Sequence, residues 1–171
     1  MRTIKFKAKT GNREWVIGCL LHRQDGSVYI YDDNNDVPFS GLVCSEEETA
    51  LIIHVDYKTV CQFTGLLDKN GKEIYEGDVL RSDSYPYSYL DDDERDNYFA
   101  VVFYCEDGAS FATATAKNPE SNVGGISDGI CNDVSRNEMK QFEVVGNIHD
   151  EEWQQYGEYF KTEEEKEADN N

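Results

Sequence analysis

The stretch Gln62–Asp78, QFTGLLDKNGKEIYEGD, decides the fold of this chain. Its centre is Asn70-Gly71, a dipeptide that is typical of two-residue β-hairpin turns. A type I′ turn needs a positive φ at both central residues, which Asn tolerates and Gly adopts without steric cost. We therefore predict a hairpin with this turn at its tip and with Thr59–Leu67 and Glu73–Arg81 as its arms.

Short strands separated by turn residues make up most of the remaining pattern. Alternating or β-branched apolar runs predict strands at Ile4–Ala8, Trp15–Leu21, Ser27–Tyr31, Leu51–Val55, Tyr98–Tyr104, Ala109–Ala114 and Phe142–Ile148. Tight turns link the first three strands into an antiparallel meander. The polar stretches Ser82–Asn97 and Lys117–Asn132 are predicted to be long irregular loops.

The end of the chain changes from a helical pattern to a polar one. Trp153, Tyr156 and Phe160 recur at spacings of three and four, which predicts a short helix with one apolar face. The acidic tail that begins at Thr162 has too little apolar surface to fold, so we expect it to be disordered.

The predicted fold class is mainly β. An N-terminal antiparallel β-sheet (residues 1–58) would pack beside an SH3-like half-barrel that includes the hairpin (residues 59–150). A short helix and the disordered acidic tail (residues 151–171) would follow.

Charge is distributed unevenly along the 171 residues, which carry a net charge of −19. Residues 1–14 hold five basic groups and one acidic group, so the remaining chain sums to −23. Such a field repels phosphate backbones and attracts basic proteins or cations. We therefore expect a protein partner, for which the charge favours a basic one, and consider nucleic acid an unfavourable partner. Solubility alone is the simpler explanation of the charge.

Cysteine use and hydropathy indicate a cytoplasmic protein. The five cysteines are widely spaced and include no CxxC pair, which favours free thiols in a reducing compartment. No apolar run approaches the roughly 20 residues that cross a bilayer, and the first residues alternate charge with hydrophobe instead of forming a signal peptide.

Three blocks of sequence resemble the YopX family of phage and prophage proteins. They are Arg2–Ala8 (RTIKFKA), Thr59–Asp78 with its TGLLDKNGKEIYEGD core, and Phe142–Asp150 (FEVVGNIHD). The resemblance implies the family's fold and a phage-type genomic context. It implies no biochemical activity, because the family has none established. The acidic run Asp91–Glu94 and the residues beyond Tyr156 lie outside the resemblance.

Two groups of residues are candidates for an interaction surface. The first lies on the hairpin, and the second lies in the acidic, tyrosine-rich segment: Gln62, Thr64, Tyr75, Glu76 and Asp78, and Tyr87, Tyr89, Asp91, Asp92 and Asp93. Tyrosine offers a large contact area at low entropic cost, which favours interfaces. A structural explanation is open for both groups: hairpin side chains such as Asp68 and Asp78 would tie turns, and the tyrosines would cover the barrel.

Catalytic, cofactor and metal sites find little support in the sequence. It has no GxSxG, HExxH, P-loop or GxGxxG motif, so we predict neither an enzyme nor a cofactor. Cys19 and His22 have a CxxH spacing, but residues three apart on a strand point to opposite faces, so no metal site is predicted.

The leading hypothesis is a non-enzymatic, YopX-like protein that binds another protein through an acidic surface. A sharper form of this hypothesis is that the surface imitates nucleic acid. One alternative is a nucleic-acid-associated SH3-like module that uses the basic N-terminal edge, in particular Lys5, Lys7 and Lys9. The other alternative is a structural or assembly component, which would form a homo-oligomer.

Overall fold

The computed structural model describes residues 3–31, 52–83, 98–116, 131–133 and 135–157. The chain divides into two compact units, an N-terminal unit (Met1–Gly65) and a C-terminal unit (Leu66–Asn171). Both are built from antiparallel strands, which confirms the mainly β fold class. The SH3-like half-barrel stays a prediction. The sequence places the first boundary after residue 58, and the structural division follows Gly65.

The N-terminal unit contains the predicted meander. Its elements are β1 (Phe6–Lys9), β2 (Trp15–His22), β3 (Val28–Tyr31), β4 (Ile52–His54), a 3-10 helix (Tyr57–Thr59) and β5 (Cys61–Leu67). β2 pairs antiparallel with β1 through its first half and with β3 through its second half. Ala8, Val28, Ile30 and Val55 form the buried core of this unit.

The C-terminal unit begins with the second arm of the hairpin. Its elements are β6 (Glu73–Tyr75), β7 (Asp78–Ser82), β8 (Tyr98–Cys105), β9 (Ser110–Ala116), β10 (Cys131–Asp133), α1 (Arg136–Met139), β11 (Glu143–Asn147) and α2 (Gln154–Gly157). The strand orders are β4-β3-β2-β1-β5-β6, with the division between units inside β5, and β10-β9-β8-β7-β11. The ladder between β7 and β8 runs from Val79 opposite Val101 to Ser82 opposite Tyr98.

Alternate residues of β8 enter two different cores, which explains its continuous apolar sequence. Ala100 and Val102 pack in a cluster with Met139 and Phe142. Phe99 and Val101 pack in a second cluster with Tyr156, and Trp153 packs against it. Neighbouring side chains on a strand point to opposite faces of the sheet. Each large side chain that is fully buried contributes about 1.5–3 kcal/mol of transfer free energy.

Two predictions for the C-terminal unit are corrected by the structure, and one element was missed. The arm Glu73–Arg81 consists of two strands in different sheets, because Gly77 adopts a φ of 73° and ends the first strand. Cys131–Asn132 belong to β10 and not to an irregular loop, because they pair with β9. Helix α1 was not predicted, although Ser135 and Glu138 have the S-x-x-E spacing of a capped helix and Ser135 Oγ accepts from Glu138 N–H.

The signature hairpin has a turn of a different type from the predicted type I′ turn. Gly71 has a φ of 81°, but Asn70 does not take a positive φ. Gly71 N–H donates to Asp68 C=O, and Asp68 N–H donates to Lys72 C=O. These bonds define a type I turn followed by one left-handed residue. The Asp68 carboxylate favours this arrangement because it accepts from Asn70 N–H at 2.7 Å and from Lys72 N–H at 2.9 Å.

The same loop geometry recurs at other hairpins of the chain. Between β2 and β3 the left-handed residue is Gly26, and between β1 and β2 it is Arg13, with φ values of 85° and 65°. Each donates its N–H three residues back, to Arg23 and to Thr10. Between β8 and β9 the corresponding residue is Ala109, with a φ of 48°. The β8–β9 loop is one residue longer, because Cys105 pairs with Ser110, but it too ends in a left-handed residue. Two of these hairpins therefore place a non-glycine residue in the left-handed region.

The remaining predictions fall partly beyond the described residues. The loop from residue 84 to 97, most of the predicted loop from 117 to 132 and the tail from residue 158 lie outside them. The predicted C-terminal helix is present as α2, Gln154–Gly157. Within the described residues, no helix is both long and apolar enough to cross a membrane.

Candidate functional sites

A buried polar cluster joins the end of the signature hairpin to the closing strand. Asp78 is fully buried, and its carboxylate accepts from Tyr75 N–H at 2.8 Å and from Asn147 Nδ2 at 2.9 Å. Asn147 Nδ2 also donates to Glu76 C=O at 3.1 Å, and its Oδ1 accepts from His149 N–H at 3.0 Å. Buried polar groups are costly unless they are hydrogen-bonded, so these two side chains depend on each other.

A second aspartate of the signature reaches the same strand. Asp68 is 4% exposed, and its Oδ2 accepts from Val144 N–H at 3.0 Å while its Oδ1 holds the hairpin turn. Lys69 N–H donates to Phe142 C=O at 2.8 Å nearby. The Asp68 carboxylate thus bonds both to its own turn and to Val144, which lies 76 residues further along the chain. Both aspartates of the signature have structural roles that account for their positions.

The phenol of Tyr75 is held in its neutral form. Tyr75 is 3% exposed, and its hydroxyl donates to Glu73 Oε2 at 2.7 Å. Burial raises the pKa of the Tyr75 phenol, and the bond to Glu73 and the charges of Glu73 and Asp78 raise it further. The ionised phenolate would have to sit beside two carboxylates with little water. Tyr75 is therefore suited to packing and hydrogen bonding, and poorly suited to act as a base.

The residues that the sequence indicated as an interaction surface differ in burial and belong to different parts of the chain. Tyr75 and Asp78 are buried in the C-terminal unit, and Glu76 beside them is half-buried. Gln62 and Thr64 belong to the N-terminal unit, where both are half-buried and Gln62 lies opposite Phe6. The second group, Tyr87, Tyr89, Asp91, Asp92 and Asp93, lies outside the described residues.

A basic and aromatic face of the N-terminal sheet was only partly visible in the sequence. Lys5, Lys7 and Lys9 occupy alternate positions, so they point to one side of β1. The ammonium groups of Lys7 and Lys9 lie 4.7 Å and 5.0 Å from the ring centroid of Trp15. The ammonium of Lys5 lies 5.1 Å from the ring of Phe63. We call these five residues the lysine–aromatic face. The alternating KFKAK pattern was the available signal, and the ring partners needed the strand register.

Charges differ in sign between the described parts of the two units. In the N-terminal unit the described residues include six Lys or Arg and three Asp or Glu, whereas in the C-terminal unit they include five and thirteen. Several cations of the C-terminal unit have internal partners: Lys69 and Arg81 both pair with Glu143, and Lys72 Nζ donates to Val144 C=O. Carboxylates at Glu106, Asp107 and Glu152 are exposed.

Among residues 3–31, 52–83, 98–116, 131–133 and 135–157, no group of three or more His, Cys, Asp or Glu side chains could hold a metal ion. Cys19 is an exposed free thiol on β2, Cys61 is buried on β5, and Cys105 is partly buried at the end of β8. These three thiols lie on three different strands and indicate no shared site.

Comparison with known proteins identifies the family. The family described as YopX protein matches residues 5–152, which is most of the chain. This chain belongs to the YopX family. No curated protein matches the sequence. Among solved structures, it is similar to the crystal structure of protein EF1440 from Enterococcus faecalis, with 22% identity, a TM-score of 0.43, and coverage of 87% of this chain and 95% of that one.

The residues that carry the YopX resemblance are largely those that hold the C-terminal unit together. Asp68 and Asp78 from the middle block bond to Val144 and Asn147 from the closing block. Both blocks lie within the matched range. These parts of the YopX signature therefore form a structural frame within the C-terminal unit.

Proposed function

We propose that this YopX-family protein works without catalysis, by binding a basic protein partner through the acidic surface of its C-terminal unit. The observation that carries the proposal is the charge balance of that unit. Thirteen acidic and five basic residues lie in its described part. Three of the cations bond internally and two of the acidic residues, Asp68 and Asp78, are buried, whereas Glu106, Asp107, Glu151 and Glu152 are exposed. A field of one sign steers an oppositely charged partner towards the surface and raises its association rate.

A sharper form of the proposal is that the surface imitates nucleic acid. Exposed carboxylates would occupy a site that normally binds phosphates on a host or phage protein in the cytoplasm. The family resemblance motivates the phage context, and the overall charge of −19 supports the electrostatic part. A nucleic-acid competitor would then displace the partner.

Affinity purification from bacterial cells tests this proposal. The tagged full-length protein is compared with a variant that carries Glu106→Gln, Asp107→Asn, Glu151→Gln and Glu152→Gln at exposed positions of the C-terminal unit. We expect basic proteins to be recovered with the wild type, released by salt and by added DNA, and depleted with the variant. Recovery of no basic or nucleic-acid-binding protein above the variant's background would contradict the proposal.

A second candidate is nucleic-acid association through the lysine–aromatic face. It is supported by the three lysines that lie on one side of β1, two of them over Trp15. Cations beside aromatic rings suit single-stranded nucleic acid, which combines phosphates with stacking bases. The acidic balance of the whole chain opposes such binding, so it would depend strongly on salt.

A gel-shift titration at low salt separates this candidate from the first. If it is correct, the protein shifts a single-stranded oligonucleotide, and neutralising Lys5, Lys7 and Lys9 to Gln abolishes the shift. Lys58→Gln is the matched control, because Lys58 is an exposed cation of the same unit. The absence of any shift, or an equal loss with the control, would reject nucleic-acid association.

A further inference from the structure

The tip of the β8–β9 hairpin presents an aromatic pair to solvent. Tyr104 and Phe111 are direct partners in the ladder, and their rings meet edge to face, with centroids 5.5 Å apart and an interplanar angle of 75°. Phe111 packs against the core that contains Ala100 and Val102, but Tyr104 remains 44% exposed. The sequence predicted a buried strand through Tyr104. The strand instead extends past the core, so its last ring is accessible.

Acidic groups adjoin this aromatic pair, and no basic group lies near them in sequence. Glu106 and Asp107 form the exposed turn directly after β8. Residues 98–116 contain these two carboxylates and no Lys or Arg. An exposed ring beside two carboxylates complements a side chain that combines an apolar stem with a positive end, as Lys and Arg do.

The hairpin tip is held in place before any partner arrives. The β8–β9 ladder pairs seven successive positions, from Phe99 opposite Ala116 to Cys105 opposite Ser110. Ala109 N–H donates to Glu106 C=O at 3.1 Å and closes the turn. A surface that is already ordered loses little conformational entropy on binding.

We infer that the hairpin tip, made of Tyr104, Glu106, Asp107 and Phe111, is the docking surface for a Lys- or Arg-bearing segment of the partner protein. The inference rests on the proposed acidic-surface function and gives it a location. The cation lies over the ring of Tyr104 and pairs with the carboxylates, while its stem covers the aromatic pair. The chain shows the same geometry internally, where the Arg23 guanidinium lies 5.2 Å from the Tyr29 ring centroid.

Matched variants of the full-length protein test the location. The tip variant carries Tyr104→Ala, Glu106→Gln and Asp107→Asn. The control variant carries Tyr57→Ala, Glu151→Gln and Glu152→Gln, which also removes one exposed tyrosine ring and two adjacent exposed carboxylates. Both are titrated against a fluorescently labelled oligo-arginine peptide by anisotropy at constant salt. Circular dichroism reports whether each variant is folded.

We expect the dissociation constant to rise about tenfold for the tip variant, which corresponds to about 1.4 kcal/mol. The control variant should change it less than about twofold, since it keeps the aromatic pair. Equal weakening by both variants would overturn the location but leave the acidic-surface proposal intact. Failure of the wild type to bind the peptide would contradict both.

Variants with fewer substitutions are less prone to misfold. They also separate the contribution of the two carboxylates to binding from that of the tyrosine ring. Glu106→Gln with Asp107→Asn alters only exposed turn residues, and Tyr104→Ala alters only the ring. Each should weaken binding by itself. If charge removal alone accounts for the whole effect, the tip is a non-specific acidic patch and the inference is wrong. If the wild type self-associates in sedimentation and the tip variant does not, the occupant is a second copy, which also overturns it.

Discussion

Asp78 accepts a hydrogen bond from Asn147, which lies 69 residues further along the chain, at 2.9 Å in the interior of the C-terminal unit. Each residue belongs to a different block of the YopX signature. Asp78 is fully buried and Asn147 is 1% exposed, so neither can exchange its partner for water. Their pairing explains why two separated sequence motifs occur together in one frame.

Replacing Asp78 with Ala should lower the free energy of unfolding by about 2–4 kcal/mol. The change removes the acceptor that Asp78 provides to Tyr75 N–H and one of the two acceptors of Asn147 Nδ2. Each buried donor that is left unsatisfied costs about 1–3 kcal/mol. Urea unfolding measures the loss. Asp83→Ala is the matched control, because the Asp83 side chain is 83% exposed. A loss no larger than that of the control would show that the pairing does not support the fold.

Replacing Asp68 should lower the free energy of unfolding more than replacing Asp25, which has a similar role in its own turn. Asp25 also accepts a hydrogen bond from the backbone of its own turn, at Ser27 N–H, but it is exposed, and its carboxylate bonds within that turn. Asp68 additionally accepts from Val144 N–H. We therefore expect Asp68→Ala to cost about 1–2 kcal/mol more than Asp25→Ala in urea unfolding. Equal losses would mean that the bond to Val144 contributes nothing measurable.

Glycine should stabilise the β8–β9 turn. Ala109 has a φ of 48°, in the left-handed region where a Cβ atom is unfavourable by about 1–2 kcal/mol. Ala109→Gly removes this cost but adds freedom to the unfolded chain, so a net gain of about 0.5–1 kcal/mol is expected in thermal or urea unfolding. Gly71→Ala is the opposite change at the equivalent position, where φ is 81°, and it should destabilise. If both variants changed the free energy of unfolding in the same direction, the left-handed conformation assigned to the two residues would be contradicted.

The raised pKa of Tyr75 should make the free energy of unfolding decrease at alkaline pH. Its folded pKa is raised above the ordinary value of about 10 by burial and by Glu73, so the folded protein keeps a proton that the unfolded chain loses. The contribution is fully present below pH 10 and decreases as pH rises towards the folded pKa, by up to about 1.4 kcal/mol per pH unit.

Urea unfolding between pH 8 and 11 measures this dependence. Tyr75→Phe should reduce the alkaline slope relative to wild type, and Tyr57→Phe, at a tyrosine that is 64% exposed, serves as the control. If the two variants have the same slope, Tyr75 does not set the dependence.

Local patterns predicted the strands well because alternation and turn residues act over a few positions. The meander of β1, β2 and β3 and the strands β8 and β9 follow from such patterns. The turn type at Asn70-Gly71 was mistaken, because the Asp68 side chain favours a type I turn through Asn70 N–H and Lys72 N–H. β10 was missed because its pairing with β9 compensates for a weak local signal.

The candidate sites depended on burial and strand register, which the spacing of residues in the sequence does not reveal. The sequence suggested Tyr75 and Asp78 as surface residues, but both are buried, and Asp78 bonds to Asn147 on the closing strand. The aromatic partners of Lys7 and Lys9 depend on the register that sets Trp15 opposite Lys9. Exposure of Tyr104 depends on where the core ends beneath β8, which the apolar run from Tyr98 does not indicate.

The pairing of Ser82 with Tyr98 has a consequence for how this family can change. These two residues are direct partners in the ladder, so they fix both ends of the segment that joins β7 to β8. Altering the length of such a link changes the entropic cost of closing it by only about 0.6 kcal/mol for each doubling. The length of this segment can therefore change at little cost to stability while Asp78 and Asn147 keep their bond.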